Sequence, residues 1–403
     1  MARRVDGKET LTTKNLTIIT IKMMLKKILP LLLVALFVTA IVFTSKAQSA
    51  KNKYVVIGYV GGYKGLYDTT MVDARKLTHI NYAFVDLQDN RAYLRHRRTD
   101  TTNLQNLVKL KKINPDLKVL ISIGGWAWSN NFSDMALSDT SRLAFAKSAV
   151  GIIRQYKLDG IDIDWEYPDN KGAGNIFRAE DKQNYTLMFK ALRQQLDTLE
   201  KETGKKLLLT AAVGGFKRFL QHTEMDKVAN YLNYINLMTY DYLQDSLGIT
   251  VHHTNLYASK KYYTRDDAND AVKDFVAAGV PRNKLVMGIA FYGRSYRVAT
   301  DSTNHGLGVK TVERMRGSGY TFIKDSLLNQ NGFKYYRDNG AKAAYLYNAE
   351  TKQFISMDDE WSVQKKCDYV KKSDMAGVMF WEYVEDKKEY LLNEINKDFK
   401  KSR

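Results

Sequence analysis

Residues 158–168 read Leu-Asp-Gly-Ile-Asp-Ile-Asp-Trp-Glu-Tyr-Pro, so Asp162, Asp164 and Glu166 alternate with Ile163 and Trp165. In an extended strand, side chains at i, i+2 and i+4 share a face, and these three acids line up about 7 Å apart. Acidic residues are depleted in strands and almost never buried without a partner. A strand that stacks three of them loses stability, and catalysis by a carboxylate row is the compensation that fits. Leu158, Ile161 and Ile163 keep the stretch otherwise apolar, which argues against an exposed acidic edge strand. A metal site would want histidine or cysteine ligands, and none lies nearby in sequence; neither metal nor organic cofactor is expected. Asp159 is off-parity with the other acids and is expected to be structural, near the strand start.

A carboxylate row needs a scaffold that fixes it. Short β-branched runs recur at Tyr54–Val60, His79–Val85, Lys118–Gly124, Gly160–Trp165, Leu207–Val213, Tyr234–Tyr240, Leu285–Phe291 and Ala376–Trp381. Between them lie stretches of helical period, including Thr102–Ile113, Ser138–Tyr156, Asp181–Thr203 and Thr264–Ala278. Strands alternating with helices imply parallel strands joined by helical crossovers. Eight such units close into an α/β barrel, the (β/α)8 or TIM architecture. A doubly wound open sheet is the alternative, but no nucleotide-binding glycine fingerprint follows the first strand. The 84 residues from Tyr292 to Met375 exceed what a crossover needs. Within them Gly319–Ile323, Gly332–Tyr336 and Tyr345–Tyr347 alternate like antiparallel strands, so 296–358 is read as a small α+β insertion between strands seven and eight. The barrel then comprises 48–295 and 359–403.

In such barrels the C-terminal strand ends carry the active face. There the sequence places Ser122, Gly124, Gly125 and Trp126; Asp164 and Glu166; Met238, Tyr240 and Asp241; Tyr292 and Arg294; and Trp381 with Glu382. Large aromatics beside a few hydrogen-bonding groups suit sugar rings, whose C–H faces are apolar and whose hydroxyls need partners.

The Asp159-x-x-Asp162-x-Asp164-x-Glu166 pattern resembles the signature of family 18 glycoside hydrolases, the chitinases. The Ser122-x-Gly124-Gly125 and Met238-x-Tyr240-Asp241 segments, terminal Trp381 and the interruption before the eighth strand also resemble that family. The likeness spans about residues 54–385, with no departure at the key positions. It implies hydrolysis of β-1,4 links in N-acetylglucosamine polymers without cofactor, the 2-acetamido group of the substrate being the nucleophile. Glu166 is then general acid and later base, and Asp164 holds the acetamido N–H. Asp162 lies deeper and is expected to share a proton with Asp164, since like charges so close do not all ionise near neutrality. Tyr240 orients the acetamido carbonyl. Asp241, Met238, Arg294 and Tyr292 are expected sugar contacts, Trp381 the floor of the reactive sugar, and Trp126, Trp128 and Tyr63 platforms farther along. An endo-acetylglucosaminidase acting on N-glycans and a non-catalytic sugar-binding protein are the alternatives.

The 403 residues carry a net charge of +18. Eight basic and two acidic residues fall in 1–47, leaving the rest nearer +12. The basic residues are scattered, where nucleic-acid binding wants a stripe. Lone Cys367 excludes an intrachain disulfide. Lys22, Lys26 and Lys27, the apolar run Ile28–Phe43, and small Ser45 and Ala47 have the layout of a secretory signal, 1–47, with Met23 or Met24 as an alternative start. Cleavage after Ala47 is expected to release a monomer with no membrane attachment; a retained anchor is the alternative.

Overall fold

β-Branched and aromatic residues favour a pleated, half-buried surface, and all eight expected runs are strands in the computed structural model. It describes residues 53–263, 266–301 and 303–400, so the expected leader lies outside the described residues. In chain order the strands are β1 (Val55–Gly61), β2 (His79–Gln88), β3 (Arg91–Tyr93), β4 (Lys118–Gly124), β5 (Gly160–Asp164), β6 (Leu208–Gly214), β7 (Tyr234–Met238), β8 (Leu285–Ala290), β9 (Tyr292–Val298), β10 (Thr311–Gly319), β11 (Phe333–Asp338), β12 (Ala343–Asn348), β13 (Gln353–Met357) and β14 (Gly377–Trp381). Parallel pairing runs β1-β14-β8-β7-β6-β5-β4-β2, and β2 pairs back onto β1. The ring is closed: an eight-stranded parallel barrel. Within it β5 and β14 stand four places apart in either direction, so the carboxylate strand faces the Trp381 strand across the mouth.

Strand alternation divides the core in two. Val55, Ile57, Tyr59, Ala83, Ala212, Val286 and Met379 cluster inside the barrel. Their opposite-facing neighbours, such as Val56, Ile121, Ile161 and Ile163, pack outward against helical Phe145, Ala149 and Phe189. The helix Asp139–Tyr156 starts where expected, with a reciprocal cap between Ser138 and Ser141. The helix Asp181–Thr203 ends at Gly204, whose φ of 68° suits a left-handed cap.

Two helix boundaries differ from the expectation. The second crossover helix starts five residues early, at Arg97, where buried Asp100 in the first turn reaches back to accept the N–H of His96, the residue before the helix, at 2.9 Å. The helix expected from Thr264 begins at Ala268, where the Asp267 carboxylate accepts the Asp270 N–H at 2.9 Å.

The long interval holds a second sheet, antiparallel, in the order β10-β9-β13-β12-β11. It begins at Tyr292, directly after β8, rather than at Tyr296. Gly319–Ile323 is not a strand: Tyr320–Phe322 is helical and runs into a wider helical turn over Ile323–Leu327. Tyr320 and Ile323 are the buried residues there, a spacing of three that belongs to a helix and not to a pleated strand.

The sheet rejoins the barrel at a fully buried ion pair. Lys366 Nζ lies 2.6 Å from Asp358, whose carboxylate also accepts from Thr254 Oγ1 at 2.9 Å, Ser362 Oγ at 2.7 Å and the Ala290 N–H at 3.1 Å. Removing one partner of such a pair strands a charge. Lys366→Met is expected to lower the unfolding free energy by about 3 kcal/mol, with Asp358→Asn/Lys366→Met recovering part of it. Urea denaturation reads both, and an unchanged midpoint for Lys366→Met would contradict this account.

Candidate active site

The row of acids continues one step beyond β5. Trp165 points outward, buried, its indole stacked on Phe132 at 5.2 Å, which turns Asp164 and Glu166 to the inner face with Asp162. Each acid meets a different environment. Asp162 is fully buried and accepts hydrogen bonds from Tyr59 Oη at 2.9 Å, Ser122 Oγ at 2.8 Å, Thr210 Oγ1 at 2.5 Å and Asn236 Nδ2 at 3.2 Å. These donors come from β1, β4, β6 and β7. Burial pushes the Asp162 carboxyl up to about 6, held from rising further by the donors.

Asp164 has no such set. Its Oδ1 is buried without a partner among the described residues. Burial, then the charges of Glu166 and Asp162, raise it well above the usual carboxylate range. Among the described residues no hydrogen bond joins the two aspartates in this conformation. Four donors satisfy Asp162, whereas Asp164 carries the upward push of burial with no donor at Oδ1 among the described residues.

Glu166 lies at the mouth. Its N–H donates to Ser129 Oγ at 2.9 Å, and Ser129 donates to the Gly125 carbonyl at 2.9 Å. Burial lifts its carboxyl to about 7; a hydrogen bond from Tyr167 opposes the rise and the Asp241 charge adds to it. The β4 turn presses close to this group. A Cβ on Gly124, φ 113°, would stand 2.2 Å from the Asp164 carbonyl, so the approach requires glycine. Asp159 takes the expected structural place at the foot of β5, accepting the Val119 N–H at 2.8 Å and paired with Lys111 and Lys205.

On one side of Glu166 a cavity of about 750 Å³ is lined by Glu166, Tyr167, Phe216, Met238, Tyr240 and Asp241, among others. Among the described residues the hydrogen-bond contact of the Tyr240 hydroxyl is Met379 Sδ at 3.8 Å. Asp241 is clamped from behind: Arg294 donates twice, at 2.7 and 2.6 Å, and Tyr292 Oη once at 2.7 Å. Burial opposes the Asp241 charge, yet His253 and Arg294 hold its carboxyl well below the usual range. Arg294 and Tyr292 thus stand behind Asp241.

The remaining expected residues lie elsewhere around the mouth. Trp381 stacks on Phe84 at 5.4 Å and tilts over Tyr59 at 5.7 Å. Trp126 is 55% exposed and meets Tyr167 edge to face, their ring centres 6.4 Å apart. Trp128 is half-buried under the Arg95 guanidinium at 5.2 Å. Tyr63 is exposed and its hydroxyl donates to Glu382 at 2.7 Å. Sequence reasoning missed Tyr59, Thr210, Asn236, Phe84, Tyr167, Phe216 and His253. The first three were detectable as polar residues at inward-facing positions of otherwise apolar strands.

The family model described as Glycosyl hydrolases family 18 matches residues 55–386. The chain belongs to family 18 of the glycosyl hydrolases. It is 34% identical to Chitinase A1 of Niallia circulans, over 91% of this chain and 61% of that one, so it spans about three fifths of that relative. It is also 34% identical to Chitinase 1 of Aphanocladium album, over 81% of this chain and 80% of the relative. A solved family 18 N-acetylglucosaminidase from Paenibacillus barengoltzii superposes with a TM-score of 0.80 at 39% identity, covering 86% of this chain and 99% of that one.

The electrostatics of this hydrolase site make one outcome specific. Asp241→Asn removes a negative charge that raises Glu166, so the Glu166 carboxyl should titrate at lower pH than in the parent. Infrared difference spectra against Glu166→Gln isolate that carboxyl; an unchanged or higher titration point would contradict the assignment.

Proposed function

We propose that this protein is a secreted chitinase that hydrolyses β-1,4 bonds between N-acetylglucosamine units by a retaining, substrate-assisted route. The observation that carries the reading is the Asp164 Oδ1, buried without a partner among the described residues, between a satisfied Asp162 and a protonatable Glu166. A buried polar atom without a partner costs about 1–3 kcal/mol, and a substrate acetamido N–H is the donor that fits beside the acid. Glu166 and Asp164 share one strand face, which disfavours attack by Asp164 from the far side of the sugar. The nucleophile is then the substrate's own 2-acetamido oxygen, favoured by its tether.

The steps follow. Glu166 gives its proton to the glycosidic oxygen as the acetamido oxygen bonds to C1 and the leaving chain departs. Asp164 accepts from the acetamido N–H, and Tyr240 Oη donates to the carbonyl oxygen that attacks. Water then adds at C1, losing its proton to Glu166, and the oxazolinium ring reopens. Two displacements leave the configuration at C1 as it began. Trp381 forms the floor for the reacting sugar, opposite Glu166.

The chitinase names of the two relatives support this substrate. The similar N-acetylglucosaminidase favours a second reading, removal of single terminal sugars. A cavity beside Glu166 and exposed aromatics around the mouth support a cleft that takes a chain. Secretion rests on the leader read in the first 47 residues.

Glu166→Gln is expected to lower turnover of N-acetylglucosamine oligomers by about 10²- to 10⁴-fold while oligomer binding stays near normal. Full activity in that variant would reject Glu166 as the acid. Oligomers of glucose lack the acetamido group and are expected to stay intact over the same incubation; chromatographic detection of their cleavage would exclude substrate assistance.

A further inference from the structure

Trp381 sits at the end of β14 and Tyr63 on the loop after neighbouring β1; these strands pair from Val55↔Gly377 to Gly58↔Phe380. The residue that links these two strand ends is Glu382. It follows Trp381 directly in sequence, and its carboxylate reaches across 319 positions to accept from Tyr63 Oη at 2.7 Å. The side chain is 3% exposed, and its Oε1 is also 3.2 Å from Lys64 Nζ. Lys64 bridges on to Glu385 at 2.8 Å and stands 5.5 Å from the centre of the Tyr63 ring. A Cβ on Gly61 would come within 2.6 Å of Glu382 Oε2 and 2.7 Å of the Tyr63 ring, so the glycine is what lets them meet. The phenol is held at its hydroxyl end while the residue as a whole remains 47% exposed.

A buried carboxylate spent on one surface tyrosine makes sense if the position of that ring matters. We propose that Glu382 is a positioning residue that fixes the Tyr63 ring in register with the Trp381 floor, so that sugar units beyond the reacting one are gripped. It thereby sets a preference for longer chains. The inference rests on the chitinase reading. Its tether is the Tyr63–Glu382 hydrogen bond, with Lys64 and Glu385 as the flanking charges. A general packing role for Glu382 would alter long and short substrates alike, whereas a register role alters their ratio.

The test compares kcat/KM for the hexamer and the dimer of N-acetylglucosamine, with hexamer affinity measured by calorimetry in a Glu166→Gln background. Glu382→Leu and Tyr63→Phe each remove the tether, from opposite ends. Each is expected to lower the hexamer-to-dimer ratio about tenfold, the loss of one hydrogen bond to a charged acceptor, and to weaken hexamer binding by a similar factor. Glu382→Gln keeps an acceptor and should retain the parental ratio. Tyr63→Phe changes one surface hydroxyl and reports even if Glu382→Leu does not fold. A parental ratio and affinity in Tyr63→Phe, or a ratio in Glu382→Gln as low as in Glu382→Leu, would overturn the proposal. A parent enzyme that cleaves no oligomer would overturn the chitinase reading instead, and the calorimetry would still decide the role of Glu382.

Discussion

One buried carboxylate organises the barrel interior. Asp162 sits at 0% exposure and is stable there because β1, β4, β6 and β7 each send it a donor. A charge so placed would cost several kcal/mol without those partners. The donors can converge only if the sheet closes, since β1 and β4 lie on one side of β5 and β6 and β7 on the other. Closure of the fold and survival of the acid are thus the same constraint. Asn236 also donates to Tyr59 at 3.1 Å, which links the donors from β7 and β1 into one network.

From this anchor the proton affinities along β5 are graded by environment. Asp162 is saturated with donors, Asp164 is buried between two acids with no donor to its Oδ1 among the described residues, and Glu166 stands at the mouth where Asp241 biases it toward its protonated form. Three carboxyl groups of similar intrinsic acidity thereby differ in proton affinity through burial and neighbours alone. Asp241 depends in turn on Arg294 and Tyr292, which arrive on β9, the first strand of the second sheet. That sheet therefore contributes to the electrostatics of the acid as well as to the wall beside it.

Much of this was legible in the residues. The eight barrel strands were readable because parallel strands buried on both faces give apolar runs of fixed length between turn signals, and the acids stood out because nothing else explains their period of two. The second sheet was harder. Tyr320 and Ile323 follow a spacing of three that short tyrosine-rich segments conceal, and the helix at Arg97 starts on a cap from Asp100 that lies inside its own first turn. The separation of Asp162 from Asp164 could not be read from spacing, because it depends on donors 40 to 103 positions away. Glu382 was legible as a strand-end residue, but its partner Tyr63, 319 positions away, was not; His253 lies in the loop after β7, where only the fold brings it against Asp241 and Ser356.

The account stands on the substrate's own amide arm attacking C1 while Glu166 protonates the bridge. Proton NMR of an N-acetylglucosamine oligomer digest, recorded before mutarotation, reads that step directly. New reducing ends in the β configuration are the expected result. New ends that first appear in the α configuration would mean a single displacement by water, and would contradict it.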